Sequence, residues 1–349
     1  MTFRSDLRSV FELRPSPPRW HIALQAAFAI GIPTVGFAIA GYPQLGLLAS
    51  TGAFLALYLT SRSRVQRARM LPLLAIGFLA SSALGILASG SLVLGLIVLF
   101  VVAAVSAILC LGLNVGPPGA LFFVLVAGVS GHVAGPVELE GGAVDGWLVL
   151  GMHALGLLVA YLVVLAPLLL PGVRAADALI PPAPTRFEVD ATIRIILTRL
   201  VVATGIAVLV AAPFGIHRAY WVVVAVVAIL QNGHRLRLTF VRGIHRVLGT
   251  FVGLGLFAVI ELARPSGVWL AVMLIVLQFL VEMVVIRNYG LALVFITPLA
   301  LTISAQAASA DVPVIVADRL FDTVLGAAIA TVVLLGALVL MRRPGRIEP

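Results

Sequence analysis

The chain has 349 residues, of which 62% are hydrophobic and 11% charged, where a soluble domain carries about 25% charged residues. That composition excludes a water-soluble fold of this size, so lipid must be the solvent for most of the apolar surface. The net charge of +9 comes from 23 arginines and no lysine, and these lie between apolar runs rather than on a soluble basic face, which argues for topology signals and against a nucleic-acid partner.

Residues 1–21 form a polar segment, too long and too polar for a cleavable signal, and are expected in the cytoplasm. Six apolar runs follow, at 22–40, 44–60, 71–88, 91–113, 117–135 and 147–170. The single cysteine, Cys110, sits in the fourth run and can form neither an intrachain disulfide nor a metal site. Residues 171–192 are polar, hold Pro181, Pro182 and Pro184, and read as a cytoplasmic linker. Six further runs come after it, at 195–214, 219–231, 247–262, 267–286, 289–306 and 314–341, before a short tail at 342–349. A span needs about 20 apolar residues. The expected fold is therefore an all-α membrane protein of about twelve transmembrane helices, as two six-helix repeats at 22–170 and 193–341.

Arginine placement tests that count. With the N-terminus in the cytoplasm, 20 arginines fall on the inner side and three (Arg218, Arg264 and Arg319) on or near the outer side. This is the positive-inside bias of a bacterial plasma-membrane protein with both termini cytoplasmic.

The halves read as parallel copies. Each has an Arg-rich stretch before its third span, SRSRVQRARM at 61–70 and NGHRLRLTFVRGIHR at 232–246, and a fifth span rich in helix breakers, PPGALFFVLVAGVSG at 117–131 and NYGLALVFITPLALT at 288–302. Six spans per copy keep both copies in one orientation, and interrupted spans at matching positions point to a substrate path. Pro298 removes one backbone hydrogen bond and leaves a carbonyl one turn earlier in need of a partner.

Ionisable groups at membrane depth cost at least about 2.5–3.5 kcal/mol each and so mark pairs or pathways. Glu282 lies about one turn from Arg287, with Gln278 on the same face; it either pairs with an inner arginine or carries protons. Asp322 can pair with Arg319 at i,i+3 or exchange protons. His153, at a related position of the first half, is either a packed, hydrogen-bonded residue or a relay partner of Asp322. Arg242, His245 and Arg246, next to Gly249 and Thr250, either anchor the helix or form a basic vestibule for an anion. Arg67 and Arg69 are their expected counterparts.

Four motifs in the second half resemble the fusaric acid resistance protein-like family, which includes the aromatic acid exporters. They are AYWVVVAVVAILQ (219–231), RGIHRVLGTFVG (242–253), NYGLALVFITPLALT (288–302) and RLFDTVLGAAIA (319–330). The first half matches in outline only. The resemblance implies an exporter of aromatic or related organic acids that draws on the proton gradient. Its path would take in Arg242, His245, Arg246, Thr250, Asn288, Tyr289, Thr297 and Pro298, with Arg67 and Arg69 in the first half. Glu282, Asp322 and His153 would move protons. Larger members carry a cytoplasmic domain where this chain has only its short linker. The family is also similar to plant malate channels built from paired six-span subunits, which would make this chain a fused dimer.

A passive anion channel and a membrane scaffold are the alternatives. The absence of zinc spacing, a nucleotide-binding loop or a triad in the sequence argues against a membrane-embedded enzyme and implies no cofactor. The expected partners are lipid and a small organic anion, with assembly into homo-oligomers left open.

Overall fold

The computed structural model describes residues 12–183, 185–231, 236–305 and 312–341. All its regular elements there are helical. In chain order they are α1 (Trp20–Ile39), α2 (Pro43–Ser50), α3 (Arg64–Ala88), α4 (Leu92–Gly112), α5 (Leu121–Ala134), α6 (Gly146–Leu165) and α7 (Pro171–Ala178). Then come α8 (Ala191–Ala211), α9 (Ile216–Leu230), α10 (Leu236–Ala263), α11 (Gly267–Val284), α12 (Tyr289–Ala305) and α13 (Val312–Met341). A 3-10 stretch, Thr51–Leu57, continues α2.

Among the described residues, eight helices (α1, α3, α4, α6, α8, α10, α11 and α13) are long and apolar enough to cross a membrane. Four shorter apolar helices alternate with them: α2 with its 3-10 continuation, α5, α9 and α12. The sequence reading placed irregularity in the fifth and eleventh spans. The structure makes α5 and α12 short but unbroken, with Pro298 inside α12, and gives the second and eighth spans the same shortness. In α2 the cause is local. The Ser50 and Thr51 hydroxyls donate to the carbonyls of Leu47 and Leu48 at 2.7 Å each, competing with the helical ladder where it tightens to 3-10.

The described parts of the arginine-rich stretches are largely helix, for α3 begins at Arg64 and α10 at Leu236. Ser63 caps α3 by accepting from the Gln66 N–H at 3.2 Å. The linker supplies a second cap. Asp177, at the end of α7, accepts from the N–H groups of Arg64 and Val65 at 2.7 and 3.2 Å, where a carboxylate meets the positive end of the helix. Asp145 and Asp190 cap α6 and α8 in the ordinary way.

Outward faces are apolar. On α4, Val93, Ile97, Val101, Val105 and Ile108 are exposed, at the spacing of one helical face, while Gly95, Leu99, Ala103, Ser106 and Cys110 are buried. Between helices in lipid there is little hydrophobic driving force, so close packing through small residues holds the bundle. Gly85 of α3 and Gly131 of α5 lie so near each other that a Cβ on Gly131 would sit 2.8 Å from the Gly85 carbonyl oxygen. A Cβ on Gly156 of α6 would sit 1.8 Å from the Ala49 carbonyl oxygen of α2.

The same helix pairs meet in both halves. In the first, α1 packs on α2, α3 on α5, α6 on α1, α2 and α3, and α4 on α5. In the second, α8 packs on α9, α10 on α12, α13 on α8, α9 and α10, and α11 on α12. Across the seam, α1 meets α11 and α4 meets α8, two equivalent contacts. The segment leading into each half crosses to the other. The Arg14 N–H donates to the Arg287 carbonyl at 3.1 Å, and the Glu188 N–H to the Gly112 carbonyl at 2.9 Å.

Candidate functional site

The polar residues picked out in the second half converge where α10 runs along the start of α12. Asn288 precedes α12 and caps it, its Oδ1 accepting from the Leu291 N–H at 3.0 Å, while its Nδ2 donates to the Glu12 carbonyl at 3.3 Å. Tyr289, the first residue of α12, receives two arginines. Arg246 donates from Nη1 to its hydroxyl at 3.0 Å, and Arg242 places its guanidinium carbon 4.9 Å from the ring centre. His245, also buried, lies against Gly290, where a Cβ would come within 3.0 Å of the imidazole. A Cβ on Gly249 would meet the Gly290 carbonyl oxygen at 2.3 Å, and one on Gly253 would meet Thr297 at 2.7 Å. Thr250 and Thr297 are fully buried, and their hydroxyls have no hydrogen-bond partner among the described residues. Pro298 follows Thr297 and offers no N–H to the Val294 carbonyl.

Three residues outside the expected set join this cluster. Arg319 of α13 is 3% exposed, with its guanidinium carbon 3.6 Å from the centre of the Trp221 ring of α9. It lies within electrostatic range of Arg246, Asp322, Tyr220 and Tyr289. Arg218 of α9 holds Asp318 at 2.9 Å and Asp322 at 3.2 Å, with its guanidinium facing the rings of Phe214 and Phe321. The i,i+3 pair expected between Arg319 and Asp322 is thus replaced by a pair between helices. Periodicity along α13 could find the former, but only the packing of α9 on α13 creates the latter. The signal for Arg319 and Trp221 was present, since both stand in the quoted motifs, but hydropathy placed both arginines at an outer margin.

The remaining expected residues lie elsewhere. Glu282 of α11 pairs with Arg19, at the start of α1, at 3.6 Å, an ion pair across the seam, with Gln278 also buried. His153 of α6 shares a 2.8 Å hydrogen bond with Thr51 and packs near Phe78. Its hydrogen-bonded contact is in the first half and that of Asp322 in the second, so the two are not joined directly. Arg67 is buried and engaged by its own half, donating to the Ala56 carbonyl at 2.7 Å and to Gln25 at 3.3 Å. Arg69 is exposed.

Close glycine contacts join the third and fifth helices of each half: Gly77 of α3 meets Phe123 of α5, and Gly253 of α10 meets Thr297 of α12.

At the seam itself, α5 and α9 touch closely, and a Cβ on Gly128 would lie 2.4 Å from Tyr220. Gln231, at the end of α9, clamps the approach to α5, accepting from the Ala120 N–H at 3.0 Å and donating to the Pro118 carbonyl at 2.8 Å. Sequence reasoning noted this glutamine only as the end of a motif.

Residues 204–333 match the family model described as fusaric acid resistance protein-like. The uncharacterized membrane protein YvaC of Bacillus subtilis (strain 168) is 36% identical over 134 residues, which are 38% of this chain and 21% of YvaC. The chain thus aligns with about a fifth of that relative's length. No solved structure matches. The matched region contains Arg218, Trp221, Arg246, Tyr289, Arg319 and Asp322, and leaves out Arg67, Arg69 and His153. The protein is a multi-pass helical membrane protein whose second half is similar to that family.

Proposed function

We propose that the protein is a transporter of small organic acids, an exporter of aromatic or related acids, in the bacterial plasma membrane. In this reading the eight long and four short helices make twelve spans, arranged as two parallel six-helix repeats with both termini in the cytoplasm. The repeated helix pairings, the equivalent seam contacts and the arginine bias support it. The family match supports transport.

One observation carries the functional reading: Arg242 and Arg246 converge on Tyr289 within apolar helices, and no carboxylate pairs with either among the described residues. A guanidinium kept in such a place is costly. An anionic substrate that shares its charge and donors offsets that cost. His245, Thr250, Asn288, Thr297 and Pro298 line the same route, with Arg67 and Arg69 in a subsidiary, first-half role. Glu282, Asp322 and His153 are the coupling candidates.

The test is uptake of radiolabelled benzoate into proteoliposomes with and without an imposed pH gradient. Wild-type protein should accumulate the acid against its gradient, and Arg246→Gln should lose at least about tenfold in rate, the value of one hydrogen bond to a charged group. Rates equal to those of empty liposomes would refute transport of this acid class.

A passive anion channel is the second reading. It is favoured by the fact that Glu282 and Asp322 already sit in ion pairs. Neutralising both would abolish gradient-driven flux in a coupled carrier and spare conductance in a channel.

A further inference from the structure

Arg246 and Arg319 belong to the same local pattern. Each stands four residues before a threonine on its own helix, Thr250 on α10 and Thr323 on α13, which puts hydroxyl and guanidinium on one face. The two helices pack together. All four side chains are at least 97% buried. Arg246 Nε, Arg319 Nε and both hydroxyl oxygens lack a hydrogen-bond partner among the described residues. Two facing helices thus present buried donors that their own fold does not satisfy.

The local charge is also unbalanced. Asp322 is the acid within range of Arg319, but its carboxylate is bonded to Arg218, which also holds Asp318. Four guanidinium groups, those of Arg218, Arg242, Arg246 and Arg319, stand with two carboxylates, both of them on Arg218, so positive charge is left over inside an apolar bundle. The Trp221 ring covers one face of Arg319, leaving the planar edge of the guanidinium for a ligand with two coplanar oxygens.

We propose that the paired Arg-x-x-x-Thr faces of α10 and α13, backed by Trp221, form a binding site for one small organic monocarboxylate, inside the second half and away from the seam. The proposal rests on the transport reading for its ligand class, but it assigns Arg319, Thr323 and Trp221 to the ligand. The carboxylate takes the unused donors of both arginines and threonines and offsets the surplus charge. Asp322 positions Arg218 and sets that surplus without touching the ligand.

Binding is measured on the full chain in nanodiscs by isothermal titration, separately from flux, with benzoate, hexanoate and the dianion phthalate as probes. Wild-type protein should bind benzoate and hexanoate, with phthalate as the dianionic reference. Arg319→Gln should weaken benzoate at least about tenfold, and Thr323→Val, nearly isosteric, a few-fold with an unchanged unliganded melting temperature. Exposed Arg186→Gln should match wild type. Asp322→Asn raises the surplus charge by one and should shift the benzoate-to-phthalate ratio toward phthalate. This variant keeps the test decisive if Arg319→Gln does not fold. Failure of wild type to bind either monocarboxylate, unaltered benzoate affinity in a folded Arg319→Gln, or an unchanged benzoate-to-phthalate ratio in Asp322→Asn overturns the site. If binding behaves as expected while proteoliposomes show no flux, transport fails and the site stands. If flux is intact in Arg319→Gln with unchanged KM, the site fails and transport stands.

Discussion

The two halves share their helix pairings but not their interiors. Where α10 and α12 enclose Thr250 and Thr297 beside Arg246, α3 and α5 meet through Gly77, Phe123, Gly85 and Gly131. The first half bonds its buried hydroxyls internally: Thr51 pairs with His153, Ser82 with Ser130, and Tyr58 donates to the Gly119 carbonyl at 2.6 Å, while Arg67 bonds the Ala56 carbonyl and Gln25 and leaves only its Nε without a partner among the described residues. The second leaves the hydroxyls of Thr250, Thr297 and Thr323 without one as well, and holds positive charge in surplus. The difference teaches that one architecture can serve as scaffold or as binding site. A bundle held by close glycine contacts needs no particular side chain at the third and sixth helices of each half.

The comparison breaks most directly where the shared architecture is attacked. Gly156→Leu in the first half and Gly249→Leu in the second both drive a side chain into a neighbouring carbonyl. Each should destabilise by about 3 kcal/mol, the upper end of the overpacking range, read as the folded fraction on size-exclusion after detergent extraction. If one is tolerated, the halves are not packed alike.

Leu71→Arg puts into the buried face of α3 a charge of the kind the second half carries. It should cost about 2.5–3.5 kcal/mol, the price of an unserved charge at membrane depth, measured as a lower melting temperature in nanodiscs. A neutral effect would mean that the first half also has room for an anion.

Arg246→Gln and Arg67→Gln sharpen the contrast. The first should lower benzoate flux at least about tenfold. The second removes an arginine that serves the Ala56 carbonyl, and its main effect should be a stability loss of about 1.5–3 kcal/mol, read by thermal melting. Equal flux losses in two well-folded variants would erase the distinction between the halves.

Asp318→Asn should have the smallest effect. Its side chain is 32% exposed and shares Arg218 with the more buried Asp322, so the loss should stay under about 1 kcal/mol by the same melting assay.

Much of this was legible from residues alone. Each of the twelve apolar runs corresponds to a helix, and Arg242, Arg246, Asn288 and Tyr289 do meet. They meet because Arg242 and Arg246 are one turn apart on α10 and Asn288 and Tyr289 adjoin at the start of α12, so a single helix contact gathers all four. Arg218, Trp221 and Arg319 were missed as a group because they lie on α9 and α13, about a hundred residues apart in the case of Arg218 and Asp322. Arg67, grouped with Arg242 and Arg246 by composition, serves the Ala56 carbonyl and Gln25 of its own half, a contact that composition does not carry.

The sequence by itself determined that lipid is the solvent, that the chain folds as apolar helices, and that a few arginines, acids and threonines are held among them. Those properties follow from side-chain transfer energies and hydrogen bonding along the chain, which are local. Which polar groups meet, and which stay unsatisfied, was decided only by tertiary structure. In lipid, helices choose their neighbours through backbone approach at small residues, and a contact such as Gly249 on Gly290 turns one face of a helix inward and leaves the others out.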